Sequence, residues 1–189
     1  DADTLAANSV VTGKITDGTI ANADIADLAA SKLTGALPAI SGASLTGFTD
    51  AQMPAGSVLQ VLIVEDSSEL SLSTDTYTDT DLSLAITPLS TSSKILCLWN
   101  MHVSHNVTGS GFGVRLVRGS TTIYTSAQKY DTYHSAADNR SRSDYKHLDS
   151  PSTTSAITYK VQVSSYGSKA IGVNGEANQT QLVLMEIAG

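Results

Sequence analysis

Four branched aliphatic residues recur every five positions near the start of the chain: Val10, Ile15, Ile20 and Ile25. A spacing of five matches neither the 3.6-residue period of an α-helix nor the two-residue period of a β-strand. Each unit therefore offers one apolar side chain and nothing in its own chain to cover it. We expect identical chains to meet around a shared axis and bury these side chains together, because repeat architectures need neighbours. The alternative is a disordered, low-complexity linker.

The chain divides into two regions with different patterns. In the first region, residues 23–33 could form a short helix, and residues 37–48 return to extended chain punctuated by glycine. Pro54 then marks a boundary. We predict a repetitive, trimeric stalk over residues 1–55 and a head domain over residues 56–189. Because the chain begins in the middle of a repeat, we interpret it as a fragment of a longer protein.

The head has the pattern of an all-β domain. Apolar residues alternate with polar ones in short segments bounded by turn residues, which is typical of a β-sandwich. We predict an antiparallel, jelly-roll-like sandwich. The expected strands lie at residues 58–65, 82–86, 95–103, 112–116, 121–125, 157–163, 169–174 and 182–187.

Three details of the head strands can be predicted further. The apolar segment 58–65 is expected to be a buried strand. Segment 95–103 carries apolar residues on both faces, so it should be a central strand with Trp99 and Met101 in the core. Asn174 and Gly175 together are a strong hairpin signal.

Composition excludes several classes of protein. The net charge of −7 leaves no basic face for nucleic acid, and no run approaches the ~18 apolar residues of a membrane-spanning helix. We therefore expect neither nucleic-acid binding nor membrane insertion. The single cysteine, Cys97, rules out an internal disulfide and lies in an apolar run, where it should act as a small hydrophobic residue.

The residues that could carry chemistry do not form a recognisable active site. His102 and His105 should point to opposite faces of a strand, so we predict no metal there unless copies gather on a trimer axis. Asp75, Asp79 and Asp81 could offer oxygens to Ca²⁺, but a solvated edge or turn is favoured. No nucleophile elbow or phosphate-binding glycine loop is present. We predict a protein that is not an enzyme and needs no cofactor.

The candidate binding site is the long polar segment 126–154, which lacks an obvious strand pattern. Loops of this length in compact domains are usually functional or disordered. Tyrosine suits stacking on sugar rings, and arginine suits carboxylate or phosphate groups of a surface glycan. The alternatives are a mobile surface insertion and a loop packed against the next subunit. The receptor-binding candidates are Tyr130, Tyr133, His134, Arg140, Arg142, Tyr145 and Lys146.

Several segments resemble bacteriophage tail fibres. The runs ITDGTIANADI (15–25) and SLTGF (44–48) are similar to repeats of fibre shafts. The head resembles a module found at the ends of tail fibres of marine phages, including those of cyanobacteria. Its similar segments are ITP (86–88), SKIL (93–96), VRLVRG (114–119), TYKVQ (158–162) and LVLMEI (182–187). The resemblance implies a homotrimer with a slender stalk and a globular tip that contacts the host, and it implies no catalytic residues.

The function expected from these features is attachment of a virion to its host. In this interpretation the chain is an extracellular tail-fibre tip that binds a glycan or protein receptor multivalently and is joined to the remainder of the fibre. One alternative is a structural tip that trimerises and registers the fibre. Another is a bacterial surface adhesin or lectin. A polysaccharide-degrading enzyme is the least favoured alternative.

Overall fold

The head consists of two antiparallel sheets packed face to face. The computed structural model describes residues 13, 15–16, 52–126, 131–175 and 178–189. The strands in these residues are β1 Val58–Asp66, β2 Leu70–Leu72, β3 Thr78–Ile86, β4 Lys94–His105, β5 Ser110–Arg118, β6 Thr121–Thr125, β7 Thr132–His134, β8 Asn139–Asp149, β9 Ile157–Ser165, β10 Ile171–Val173 and β11 Thr180–Ile187. A 3-10 turn, Tyr166–Ser168, follows β9. The predicted all-β, antiparallel sandwich is confirmed.

Strand β4 is the centre of the first sheet. Along one edge it pairs first with β11 and then with β10, and along the other edge it pairs with β8 over nearly its whole length. Strands β1 and β2 extend this sheet beyond β11 and β10. In the second sheet the order is β3-β9-β5-β6, and β7 also pairs with β5. The prediction that segment 95–103 forms a central strand is therefore confirmed.

The core lies between the two sheets. Alternate residues of β4 point inward and are fully or almost fully buried, among them Trp99 and Met101. They pack against inward side chains of the second sheet, which include Phe112, Leu116 and Val161. Each aliphatic or aromatic side chain buried in this way contributes about 1.5–3 kcal/mol relative to exposure. The predicted positions of Trp99 and Met101 in the core are confirmed.

The expectation of a buried strand at residues 58–65 is wrong in part. The strand exists as β1, but it lies at the edge of the first sheet, where it pairs only with β11. Its residues alternate, so Leu62 and Val64 turn toward the core while Val61 and Ile63 are 52% and 55% exposed. The continuous apolar run predicts burial on both faces of the strand, but in β1 one of the two apolar faces is exposed to solvent.

Segment 126–154 is not a long loop, which corrects the sequence interpretation. It contains the short strand β7 and the 11-residue strand β8. The alternation in β8 is real, but both of its faces carry polar residues, so a search for apolar periodicity does not find it. Strand β2, another short one, was also not predicted.

The predicted hairpin at Asn174 and Gly175 is also wrong. Strands β10 and β11 do not pair with each other, because both pair with the same edge of β4, one after the other. Asn174 does adopt the left-handed backbone conformation expected of Asn in a turn, with φ of 59°. Its side-chain amide then donates to the backbone oxygens of Asp66 and Ser68.

Several sequence predictions fall outside the described residues. They include the five-residue repeat, the short helix at 23–33 and the candidate residue Tyr130. The described residues from 52 onward belong to one compact unit, residues 47–189, and the stalk-to-head boundary near residue 55 stays a prediction. In the part of the chain that the structure describes, no helix is long and apolar enough to span a bilayer.

Candidate functional site

Three of the predicted binding residues share one face of β8. Arg140, Arg142 and Lys146 all point outward from the first sheet and are exposed. They alternate with Ser141, Ser143, Tyr145 and His147, which turn inward and are half-buried. Because side chains alternate along a strand, the predicted binding residues of β8 divide between its two faces. Arg140, Arg142 and Lys146 lie on the outward face, and Tyr145 lies on the inward face.

The register of β8 places its outward charged residues beside specific residues of β4. Lys146 lies opposite Leu98, and Asp144 lies opposite Asn100. On the other side of β4, Leu98 lies opposite Val183 of β11. Directly opposite residues on one face of an antiparallel sheet have Cβ atoms about 5 Å apart. These side chains therefore form neighbouring rows across the outer face of the sheet.

A depression of about 390 Å³ occupies this part of the outer face. Its lining combines an apolar part with a polar part. The lining residues include Leu98, Asn100, Asp144, Lys146, Gln181 and Val183. The volume falls within the range of about 300–1,000 Å³ that is usual for small-molecule sites.

Asn100 is the unusual residue of this depression. It is only 9% exposed, yet its side-chain Oδ1 has no hydrogen-bond partner in the part of the chain that the structure describes. Buried side-chain polar atoms almost always have a partner, and leaving one unsatisfied costs about 1–3 kcal/mol. The adjacent Gln181 differs, because its amide nitrogen donates to Glu65 at 2.7 Å.

The charge of this face differs from that of the whole chain. The chain carries a net charge of −7 with 11 Lys and Arg residues, and Arg115, Arg118 and Lys160 are held in internal contacts. Within residues 52–126, 131–175 and 178–189, neither Arg142 nor Lys146 forms an ion pair. Asp144 lies between them on the same face, and because two of these three outward charges are positive, this part of the face can attract an anionic partner.

Tyr145 lies beneath the site instead of on its surface. Its ring stacks on the indole of Trp99, with centroids 5.2 Å apart and planes at 16°. The Tyr145 hydroxyl donates to a carboxylate oxygen of Asp131, and burial, followed by that contact, raises the pKa of Tyr145 well above its usual range. Tyr124 closes the cluster with an edge-on contact to Trp99 at 5.3 Å. This aromatic layer supports β8 from below.

His134 also turns inward, where its ring lies 4.4 Å from that of His105. His105 is fully buried and bonds the hydroxyls of Ser110, Thr132 and Ser141 at 3.1–3.2 Å. Burial, and then the neighbouring His134, lower the pKa of His105 to about 4. His105 thus has the hydrogen-bonded environment favoured over metal binding, and His102 occupies the opposite face as expected. In the described residues no group of three or more His, Cys, Asp or Glu side chains could hold a metal ion.

Tyr133 lies on the outer face of the second sheet, away from the outward face of β8. It is 51% exposed, and its ring meets that of Tyr166 edge-on at 6.1 Å. Gly111 beneath it has no room for a side chain, since an added Cβ would lie 2.8 Å from a backbone oxygen. The structure therefore does not bring Tyr133 together with Arg140, Arg142 and Lys146, and Tyr130 lies outside the described residues.

The outer face of the second sheet carries an internally bonded network. Asp79 accepts hydrogen bonds from Lys160 at 2.9 Å and from Gln162, and these bonds lower the pKa of Asp79. Gln162 in turn accepts from Arg115, which lies 4.5 Å from the ring centre of Tyr77. Asp79, Lys160 and Arg115 thus have partners within this face, whereas neither Arg142 nor Lys146 has an ion-pair partner among the described residues.

Sequence reasoning did not identify Asn100, Asp144 or Gln181 as site residues. One signal for Asn100 was available, since it is a single amide between Trp99 and Met101 in a strand of apolar residues. Its meeting with Asp144 and Gln181 depends on the strand register, which the sequence pattern does not specify.

Comparison with known proteins yields no family. No protein-family model matches the chain, and no curated protein matches its sequence. Among solved structures, the VP2 subviral particle of infectious bursal disease virus is similar at 14% identity and a TM-score of 0.43, over 81% of this chain and 42% of that one. The T13 particle of that virus gives 15% identity and a TM-score of 0.44, over 81% and 40%. Dimeric latent PorU from Porphyromonas gingivalis gives 10% and 0.30, over 72% and 14%.

The chain thus spans less than half the length of each of these proteins. At such identities and TM-scores the likeness is too weak to carry an argument about the function of this chain.

Proposed function

We propose that the chain is the tip of a virion fibre and that it attaches the particle to an anionic glycan on the host surface. The observation that carries this proposal is the outward face of β8, where Arg142 and Lys146 lie beside a depression lined by Asn100, whose amide oxygen is unbonded. Charged side chains without an internal ion pair can bind a ligand without first breaking one. The assignment to a phage fibre rests on the sequence resemblance.

Binding, and not chemistry, is the role that these groups suit. Arginine presents directed donors to carboxylate or phosphate, and lysine adds a point charge on a flexible stem. A single shallow contact of this kind binds weakly, because much of the interaction energy is lost in ordering the partners. We propose that a homotrimer presents three copies together, so that a weak single site is sufficient for firm attachment.

The test removes the two cations and measures attachment to host cells. In R142A/K146A, cell binding should fall at least tenfold while the thermal midpoint and the oligomer mass stay as in the parent protein. The matched control is K160A/K169A, which removes the same charge from β9 and from the connection between β9 and β10, outside β8, and should bind like the parent. An equal loss of cell binding in both variants would mean that binding depends only on the net charge of the protein. Undiminished binding by R142A/K146A would refute the proposed site.

A second candidate function, a structural tip that registers the fibre, is favoured by the apolar part of the same outer face. The register aligns Val61, Met185, Leu96 and Leu148 in one row across β1, β11, β4 and β8. Val61 and Leu148 are each 52% exposed. A contiguous exposed apolar row often marks a contact with another protein.

This second function predicts that a neighbouring copy covers the row. V61S/L148S would then lower the oligomer mass in light scattering while leaving the fold intact by circular dichroism. If the mass is unchanged and cell binding is kept, the row is not a subunit contact and attachment through β8 is favoured.

A further inference from the structure

We infer that the depression on the outer face of the first sheet accepts the N-acyl group of an acidic amino sugar. This inference rests on the proposed attachment function and names the ligand class for the same site. It joins three properties of the site: an unbonded buried amide oxygen, an apolar floor and adjacent cations.

The amide of Asn100 defines the first requirement. A side-chain amide has a carbonyl acceptor and an NH₂ donor, and Oδ1 of Asn100 has no partner within the described chain. A secondary amide on a ligand presents the complementary N–H and C=O. The N–H of an N-acyl group can therefore donate the hydrogen bond that the fold leaves unmade at Oδ1, and its alkyl end adds the apolar surface that a hydroxyl lacks.

The floor of the depression defines the second requirement. Leu98 and Val183 lie side by side in the register, and both are partly exposed on the outer face. Together they offer an apolar patch next to Asn100, and the methyl end of an acetyl group is the part of an N-acyl sugar that would be buried there. A ligand with an amide but no alkyl end would leave Leu98 and Val183 exposed to water.

The neighbouring cations define the third requirement. Lys146 is one alternate position beyond Asp144, which lies directly opposite Asn100, so its Cβ is about 7–8 Å diagonally from that of Asn100. The flexible stem of lysine lets the ammonium meet a carboxylate on the same sugar. Arg142 lies on the other side of Asp144 and can meet an acidic group of the next residue in a chain.

Stacking of a neutral sugar is disfavoured at this position. Such stacking requires an aromatic face open to solvent. The rings of Trp99 and Tyr145 next to the depression stack on each other, and Trp99 is only 3% exposed. The site is therefore suited to binding the polar substituents of a sugar, and not to stacking of the sugar ring on an aromatic side chain.

The experiment compares four sugars by saturation-transfer NMR titration with the full chain. The probes are N-acetylneuraminic acid, with both groups, glucuronic acid, with only the acid, N-acetylglucosamine, with only the acyl amide, and glucose, with neither. The first should bind at least tenfold more tightly than the second or third, and glucose should give no saturation transfer.

Two variants separate the requirements. N100L, which keeps the branching and the number of side-chain heavy atoms, should lose the preference for N-acetylneuraminic acid over glucuronic acid while it still prefers acids. R142A/K146A should keep the preference for N-acetylglucosamine over glucose and lose the preference for acids. Fluorescence of the single tryptophan, Trp99, and the thermal midpoint verify that each variant is folded.

The outcomes distinguish this inference from the proposed function. If all acids bind alike and N100L changes nothing, the N-acyl inference is wrong while attachment through the cations survives. If no sugar binds but host cells still bind through Arg142 and Lys146, the partner is not an acidic amino sugar and the inference again fails. If no sugar binds and V61S/L148S breaks an oligomer, a second copy covers the face and both ideas fail.

Discussion

The guanidinium Nη1 of Arg118 lies 2.9 Å from both carboxylate oxygens of Asp149, although the two residues belong to different sheets. Asp149 is the last residue of β8, and its side chain is 9% exposed. The hydroxyl of Tyr159 donates to the same carboxylate at 2.7 Å. This contact fixes one end of the strand that carries the candidate site to the second sheet.

Removal of the Asp149 carboxylate should therefore destabilise the head. D149A leaves Arg118 as an uncompensated, partly buried charge, and we expect a loss of about 3 kcal/mol in the free energy of unfolding. The control is D79A, which breaks the Asp79–Lys160 pair of the same 2.9 Å length but with both partners substantially exposed. That change should cost about 0–1 kcal/mol. Urea unfolding of both variants is the measurement, and equal losses would contradict the argument from burial.

Replacement of Trp99 should be costly because it is buried and stacked on Tyr145. W99A should lower the free energy of unfolding by about 3–5 kcal/mol. Y133A is the comparison, since that tyrosine is half exposed on the other sheet, and it should cost less than about 1.5 kcal/mol. Chemical denaturation followed by far-UV circular dichroism measures both. A silent W99A would mean that β4 faces the other way.

The buried His105 predicts a loss of stability in acid. Its pKa is lowered to about 4, so between about pH 6.5 and pH 4 the unfolded chain binds a proton that the folded chain refuses. Stability from neutral His105 is complete above pH 6.5, declines as the pH falls through this window, and is level below pH 4. The shift corresponds to roughly 3 kcal/mol.

The measurement for His105 is the unfolding free energy at several pH values. H105Q keeps a polar side chain among Ser110, Thr132 and Ser141 but does not titrate, so its profile should be flatter between pH 6.5 and pH 4. His134, the titratable neighbour, is retained in both proteins. Parallel profiles would assign the acid loss to other groups.

Cys97 should be unreactive in the folded protein. Burial, and then the negative charge of Asp149, raise the pKa of its thiol to about 12, so almost no thiolate exists at pH 8. Iodoacetamide should leave the native chain unmodified and should add one group after unfolding in guanidinium, as read by mass spectrometry. Rapid labelling under native conditions would show that this part of the core opens readily.

The five-residue repeat predicts a homotrimer. Light scattering of the chain should give about three times its mass of 19.6 kDa. I15D/I20D places charge at two axial positions of the repeat and should reduce the mass toward that of one chain, while the circular dichroism of the head stays the same. A monomeric parent protein at micromolar concentration would contradict the shared-axis interpretation.

The sequence predicted the strands that carry apolar alternation. Trp99 and Met101 could be assigned to the core because a strand with one wholly apolar face has only one way to bury it. The openness of Val61 and Ile63 could not be predicted, since an apolar run does not tell whether a strand lies in the middle or at the edge of a sheet. That distinction depends on which strands pair.

The candidate site was only partly predictable for a related reason. Residue type alone identifies the cations Arg142 and Lys146, and it groups Tyr145 with them because the segment carries no apolar alternation. In a strand, Tyr145 must face the other way. Asn100 can be recognised as a site residue only because Asp144 and Gln181 lie beside it in the sheet. No local sequence pattern predicts the strand register that brings them together.

The pairing of β4 has a consequence for how the head is made. Trp99 lies opposite Tyr145 on one side and Leu182 on the other, so both neighbours of the central strand are synthesised much later than the strand itself. Strand β1 likewise waits for β11. Folds dominated by such distant contacts form slowly, and their exposed strands are prone to aggregate before they pair. The first sheet can close only when Thr180–Ile187 has left the ribosome, so this topology postpones completion of the head until that strand has been synthesised.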